Sequence, residues 1–256
     1  MKRTKQEWKE INDRIMYGLR PTQFPVAMKF IKTQEEFDAI PDICYCENKA
    51  SVCKLISMAA YFQETFGLTR DHFSGPYCAI NNGCMAVDQD YLDGSILYRK
   101  PTPWHHEQED AKKHIAENVK LLPETPYEGI VCSSLSNCDI EEADVISLQL
   151  PTQAAFHLLA GYVENDYEKL YFPFSGESNC ADTWMYTMKT GKPGVSLGCR
   201  GDRATGALQF GEVRVTMTID ALLKALDGME TVEKTASDIL ITPFVYTKTS
   251  SNAKSY

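Results

Sequence analysis

The sequence predicts an α/β fold, or α+β if its strands and helices segregate: a single layered domain of mixed sheet with flanking helices. Three observations carry this. The apolar run "ADVISLQL" leads directly into the helical run "PTQAAFHLLAGYV", which is the βα unit of a layered protein. A length of 256 residues with 43% hydrophobic and 24% charged content suits one sizeable core. Segments of helical and of strand periodicity also succeed one another along most of the chain. One domain is therefore expected over residues 1–256, with a core at 25–226, an N-terminal helix at 1–20, and a C-terminal strand and mobile tail at 231–256.

Taken in order, Thr4 with Glu7 forms a capping box, and Trp8, Ile11, Ile15 and Leu19 recur at helical spacing until Gly18 and Pro21 mark the exit. "FPVAMKFI" then reads as a strand. From Ala50 to Phe66 helical spacing returns, closed by Gly67, which places Cys53 in a first helical turn. "SGPYCAINNGCM" is a loop or the start of a helix, followed by a polar helix from Glu107 that Pro123 and Pro126 end. After the strands "YEGIVCSSL" and "ADVISLQL" and the helix that Pro151 opens, a helix begins near Cys180 and closes at Gly191. "PGVSLGC" reads as a strand ending at Cys199, and "EVRVTMTI" as another. Asp220 is expected to cap the helix "ALLKALDGM", and "DILITPFVY" to form a last strand that could pair with a neighbouring subunit, which suggests a homodimer. Cysteines fall alike in the two halves, opening a helix and then recurring beside glycine, as two pseudo-repeated halves would place them.

The totals exclude some functions. Asp and Glu number 35 against 26 Lys and Arg, a net charge of −9, so no nucleic-acid partner is expected. The charged N-terminus and the lack of a long apolar run predict a cytoplasmic protein without a membrane partner. "RGD" at 200–202 reads as coincidence in such a chain. Nine cysteines is a high and odd count for a reducing compartment, so thiol chemistry or metal binding is a better explanation than a disulfide framework.

Four cysteines stand out. Cys53 and Cys180 sit at predicted helix starts, and Arg200 and Arg203 follow Cys199; helix N-termini and cations favour the thiolate that a metal requires. With Cys78, the four match the ligand set of an iron–sulfur cluster or of structural zinc. No C-x2-C spacing occurs, so such a site must be assembled from distant segments; small buried residues at tight turns are the alternative. Arg200 and Arg203 could instead hold a small anionic ligand or cofactor, or pair with Asp202 and Glu212 at the surface. His105 and His106 read as solvated surface, and His157 as a core residue.

The runs "PVAMKF", "CKLISMAAYF", "GPYC", "ADVISLQLPTQAAFHLLAGY", "FSGESNCADTW" and "TGKPGVSLGCRGDR", followed by Gly211 and Glu212, resemble the family of domain of unknown function 169. The resemblance runs from about Pro25 to Leu226 and is stronger in the second half. It implies a cytoplasmic protein of a bacterium or archaeon, often an anaerobe, with cysteines at the positions of Cys53, Cys78, Cys180 and Cys199. It implies no reaction. This chain has "YCAINNGC" where the family pattern has a Cys-Pro-Gly-Gly type loop, and Cys44, Cys46 and Cys84 look like additions. Cys180 and Cys199 are thus the firmer pair.

The expected function is a cysteine-ligated iron–sulfur protein, with a cluster such as 4Fe–4S, acting in redox chemistry or as a Lewis-acid enzyme of anaerobic metabolism. A metal-free binding module for a small anionic metabolite and a transferase or hydrolase with Cys199 as nucleophile are the alternatives.

Overall fold

A computed structural model describes residues 2–46, 48–99, 105–164, 166 and 168–240. Along the first half run α1 (Lys5–Leu19), β1 (Val26–Ile31), α2 (Gln34–Asp38), β2 (Cys44–Tyr45), α3 (Val52–Phe62), β3 (Thr65–Thr69), α4 (Pro76–Asn81), α5 (Gln89–Leu92), α6 (Ser95–Tyr98), α7 (Gln108–Val119) and β4 (Gly129–Ser134). The second half runs β5 (Val145–Pro151), α8 (Thr152–Val163), a π-helical turn (Ala181–Met185) continuing into α9 (Tyr186–Thr190), β6 (Gly194–Ser196), α10 (Arg200–Thr205), β7 (Glu212–Met217) and α11 (Ile219–Leu240). The fold class is the α/β one the sequence predicts. No described helix is long and apolar enough to cross a membrane.

The strands form one mixed sheet in the order β2-β3-β4-β1-β5-β7-β6. Apart from the short parallel edge strand β2, the order reads the same outward from the antiparallel β1–β5 seam: β4 then β3 on one side, β7 then β6 on the other, antiparallel at every step. In each half the helix that begins at a cysteine precedes the outer strand, and a second cysteine follows that strand. Cys53 and Cys180 occupy the first role, Cys78 and Cys199 the second.

Alternation along the strands divides the core between two faces. Ala27, Ile31, Val131, Ile146, Leu148, Val213 and Val215 pack beneath α1, α8 and α11. Val26, Met28, Phe30, Phe66, Leu68, Ile130 and Cys132 face the other way, against α3 and Trp184 of the π turn. On that second face β5 and β7 turn polar, with Ser147, Gln149, Arg214 and Thr216 all buried. This polar half of the sheet underlies the site described below.

The capping box of α1 forms as expected: Glu7 N–H donates to Thr4 Oγ1 at 3.3 Å, and Thr4 N–H to Glu7 Oε2 at 2.6 Å. Some boundaries move. The helix predicted to reach Phe66 ends at Phe62, where Gln63 takes a left-handed cap with φ 58°, and Gly67 lies inside β3 rather than closing a helix. A Cβ at Gly67 would sit 2.7 Å from the Ile43 side chain, so that glycine serves close packing on the edge strand. The strand predicted to reach Cys199 stops at Ser196, and Cys199 instead caps α10. Thr218, not Asp220, caps the last helix, through Ala221 N–H to Thr218 Oγ1 at 3.3 Å. That helix runs to Leu240, so the start of the predicted C-terminal strand, Asp238 to Leu240, is helical; the rest of that strand and the tail lie outside the described residues.

Helices α8 and α11 cross at two glycines. A Cβ at Gly228 would come within 2.0 Å of the Gly161 carbonyl oxygen, and one at Gly161 within 2.3 Å of that of Ala225. Backbone cannot yield there as a flexible side chain would. Gly161→Ala is therefore expected to lower stability by about 1–3 kcal/mol through overpacking, despite alanine's better helix propensity. A denaturation midpoint unchanged or raised would contradict this crossing.

Candidate functional site

The four cysteines come from four separate segments, and local structure explains where each points. Ser51 caps α3, accepting Lys54 N–H at 3.2 Å, which puts Cys53 in the first turn. Ser51 Oγ also bonds Thr205 Oγ1 at 2.8 Å, and Ser57 Oγ donates to the Gly206 carbonyl at 2.6 Å, so α3 is tied to the end of α10. Gly206 is required for that approach: a Cβ there would lie 2.1 Å from Asp202 Oδ1 and 2.9 Å from Cys53 Cβ. Pro76 opens α4 and places Cys78 in its first turn. Asn82 donates to the Cys78 carbonyl at 2.7 Å and approaches its sulfur at 3.7 Å, while its own oxygen accepts Trp184 Nε1–H at 2.7 Å. The Cys78 loop is thereby fastened to the π turn that Cys180 begins. Such π turns are frequent at functional sites.

The thiols act on one another. Burial pushes Cys53 well above the ordinary thiol range, Asp202, Cys199 and Cys78 add to this, and Arg214 opposes it. Burial does the same to Cys180, with further contributions from Cys78 and Cys199, against the lowering influence of the Ala181 backbone N–H. Each helix-start thiol is thus within electrostatic reach of both of the others, 53 and 180 each of 78 and 199. These four couplings map onto themselves when the two halves of the sheet are exchanged. Cys199 is raised by burial too, against the influence of the nearby backbone N–H groups of Asn179, Asp202 and Gly201, which favour its thiolate, and its side chain makes no capping hydrogen bond to α10. Among the described residues no group of three or more His, Cys, Asp or Glu side chains is arranged to hold a metal ion as it stands.

Beneath Cys53 and Cys199 lies a buried ion pair. Arg214 donates from Nε to Asp202 Oδ2 at 3.0 Å and from Nη2 to Oδ1 at 2.8 Å; the two side chains are 1% and 0% exposed. Ser147 Oγ at 3.2 Å and Gln149 Oε1 at 3.4 Å take further guanidinium hydrogens. This Arg is the cation inside the site. The two arginines singled out from the sequence are outside it: Arg200 is exposed, and Arg203 donates to the Leu197 and Gln209 carbonyls with its guanidinium 5.7 Å from the Phe210 ring centroid.

The family model of domain of unknown function 169, DUF169, described as an uncharacterised ArCR, matches residues 14–228. The chain belongs to this family. No curated protein and no solved structure matches it. In this DUF169 protein the matched span contains all four cysteines together with Asp202 and Arg214.

The remaining cysteines are placed otherwise. Cys132 is buried in β4, and burial raises its thiol strongly. Cys138 donates to the Ile140 carbonyl at 3.6 Å and is pushed up to about 12, chiefly by burial. Cys84 donates to the Asn82 carbonyl at 3.6 Å. Cys44 is exposed and Cys46 buried on the β2 side. His105 is half-buried with its ring 5.4 Å from that of His114, His106 is exposed, and His157 is buried in α8. A cleft of about 650 Å³ between α1, α8 and α11, bordered by Arg14, Arg20 and Met229, lies on the opposite face of the sheet and shares no residue with the thiols.

Arg214, Asn82 and Asn179 were not marked by sequence reasoning, and Asp202 and Glu212, read as surface partners of Arg200 and Arg203, are instead buried, Asp202 against Arg214. One signal was available for Arg214. It occupies an alternating strand between long helical segments, where both faces of a sheet are covered, so its guanidinium needs a buried partner.

Proposed function

We propose that this protein is a cysteine-ligated iron–sulfur protein, with Cys53, Cys78, Cys180 and Cys199 holding the cluster. The observation that carries this reading is the shared electrostatic neighbourhood of four thiols drawn from remote segments of the chain. Metal-free, Cys53, Cys180 and Cys199 are pushed toward the protonated form chiefly by burial; a bound cation would offset that by taking them as thiolates and releasing their protons. Asn179 adds a second indication. Its side chain is 1% exposed and neither amide atom has a hydrogen-bond partner, while it adjoins Cys180 and its backbone N–H is near enough to Cys199 to favour that thiolate. Unmade bonds of this kind cost about 1–3 kcal/mol each, and a thiolate or sulfide sulfur bound there would accept from the amide N–H.

When bound, such a cluster supplies one-electron transfer, or Lewis acidity where one iron lacks a protein ligand. The chain's own part is to exclude water, to set local charge through the Arg214–Asp202 pair and to hold the four sulfurs. The matching couplings support reading the halves as a divergent duplication with the site on its pseudo-two-fold. Arg200, exposed beside Cys199, remains the group for meeting an anionic ligand from solvent; cytoplasmic residence and an anaerobic setting complete the reading.

Anaerobic preparation followed by iron and acid-labile sulfide assay and an absorption spectrum tests the proposal. Brown protein with iron and sulfide in equal amounts is expected. Colourless protein with freely titrating thiols overturns it, and zinc in place of iron makes the centre structural. A second reading, Cys199 as a nucleophile, is favoured by the nearby backbone N–H groups of Asn179, Asp202 and Gly201, which hold its thiol lower than burial alone would; it predicts loss of function on substitution at that one cysteine.

A further inference from the structure

Between Ser178 and Thr218 every carboxylate is turned inward: Asp182, Asp202 and Glu212 are all buried. Each is already taken. Asp182 accepts from the N–H and the hydroxyl of Ser175, and Asp202 from Arg214. Glu212 accepts from Thr22 Oγ1, from Gln149 Nε2 at 2.6 Å and from the Gln209 N–H at 2.8 Å. The exposed charges of the same stretch are Lys189, Lys192, Arg200 and Arg203, all cations, in a chain whose net charge is −9.

Two of these cations stand beside the four-thiol centre. Arg200 and Arg203 lie on the outer side of α10, the helix that half-buried Cys199 begins, and its six residues span only about 9 Å. At the far end of α10, Thr205 Oγ1 meets Ser51 Oγ at 2.8 Å, which brings the first turn of α3 and its exposed Lys54 alongside. Arg203 is held in place. Its guanidinium donates to the Leu197 and Gln209 carbonyls and lies 5.7 Å from the Phe210 ring centroid. Phe210 is 97% exposed and Leu197 51%. An arginine fixed in one pose loses little conformational freedom on binding, and arginine and aromatic side chains are those on which interface energy concentrates.

The size of the partner follows from where the charges sit. A small anion gains little at exposed arginines, because water and salt screen the attraction. A partner broad enough to cover Phe210 and Leu197 gains apolar burial as well. We propose that the outer side of α10, with Lys54 and the Phe210 turn, is the docking surface for an acidic one-electron carrier protein that exchanges electrons with the four-thiol centre. This rests on the reading of the centre given above. The carrier gives up one electron and the cluster takes it, or the reverse, and no bond forms or breaks. The anionic groups that meet Arg200 are then carboxylates of the carrier, and the local positive field steers the encounter although the whole chain is acidic.

The probe is a small acidic ferredoxin, titrated by calorimetry into the full-length protein at about 0.05 M and about 0.5 M salt. Binding is expected at the lower salt and should be at least about tenfold weaker at the higher. Arg200→Glu and Arg203→Glu should each weaken it at least about tenfold, and Phe210→Ser should weaken it at both salt concentrations. Lys9→Glu makes the same change in net charge on α1, across the sheet, and should leave binding unchanged. Arg200→Glu alters a solvent-facing side chain, so a native denaturation midpoint in that variant separates lost binding from lost folding. Absence of salt-sensitive binding, or binding that both arginine variants retain, overturns the proposal. Inorganic phosphate bound in place of ferredoxin, with the same dependence on the two arginines, overturns it too, since the surface then serves a small ion. A second arm uses protein loaded anaerobically with ferrous iron and sulfide: reduction by reduced ferredoxin should slow at least about tenfold in Arg203→Glu, while dithionite reduces both proteins to the same extent. If no cluster assembles, the iron–sulfur reading fails while the calorimetric arm still decides the docking surface.

Discussion

Serine at any one of Cys53, Cys78, Cys180 or Cys199 is expected to remove most of the iron and the visible absorbance of the anaerobically prepared protein. Serine at Cys44, Cys132 or Cys138 should leave both in place. The division follows from the electrostatics: Cys53 and Cys180 are each within reach of Cys78 and Cys199, whereas Cys138 bonds the Ile140 carbonyl and Cys132 lies among the apolar side chains under α3. A serine hydroxyl is a far poorer ligand than a thiolate for the soft metals that cysteine selects, so one substitution suffices. Iron content per chain and absorbance across the series provide the measurement. Loss confined to Cys199 would favour the nucleophile reading, and equal loss in the second group would mean that the wrong thiols have been chosen.

Arg214→Met should be among the most destabilising substitutions in the protein, by about 3–5 kcal/mol, because it leaves the Asp202 carboxylate buried without its counter-charge. Asp202 is 0% exposed, and its two oxygens accept from Nε and Nη2 of the same guanidinium. The double variant Arg214→Met with Asp202→Asn removes both charges and is expected to recover most of the loss, since no uncompensated ion then remains. Denaturant midpoints of the native protein, the two single variants and the double variant close the cycle. Additive losses would mean that the two side chains are not coupled as the geometry has them.

Much of this was legible beforehand for physical reasons. The α1 capping box, the β5–α8 unit and the helix starts at Cys53 and near Cys180 depend on residues within a few positions of one another, and such signals survive in a single sequence. β3 was hidden because Gly67 reads as a helix stop, although a side chain there would strike Ile43, just before the neighbouring strand β2. The short helix after Cys199 was hidden by its glycines. Arg214 and Asp202 lie twelve residues apart in different elements, and Ser51 and Thr205 are farther apart still; which polar side chains meet is decided by topology, and no local pattern encodes it. Arg200 and Arg203 drew notice by adjacency to Cys199, yet adjacency to a helix cap leaves most side chains of a short helix facing solvent.

The most direct measurement is the X-ray absorption spectrum of iron in protein prepared without oxygen. The predicted result is an iron environment of sulfur neighbours with a short iron–iron vector, lost in Cys180→Ser. Iron bound only by nitrogen and oxygen, or a metal-free chain whose nine thiols all titrate, would contradict it.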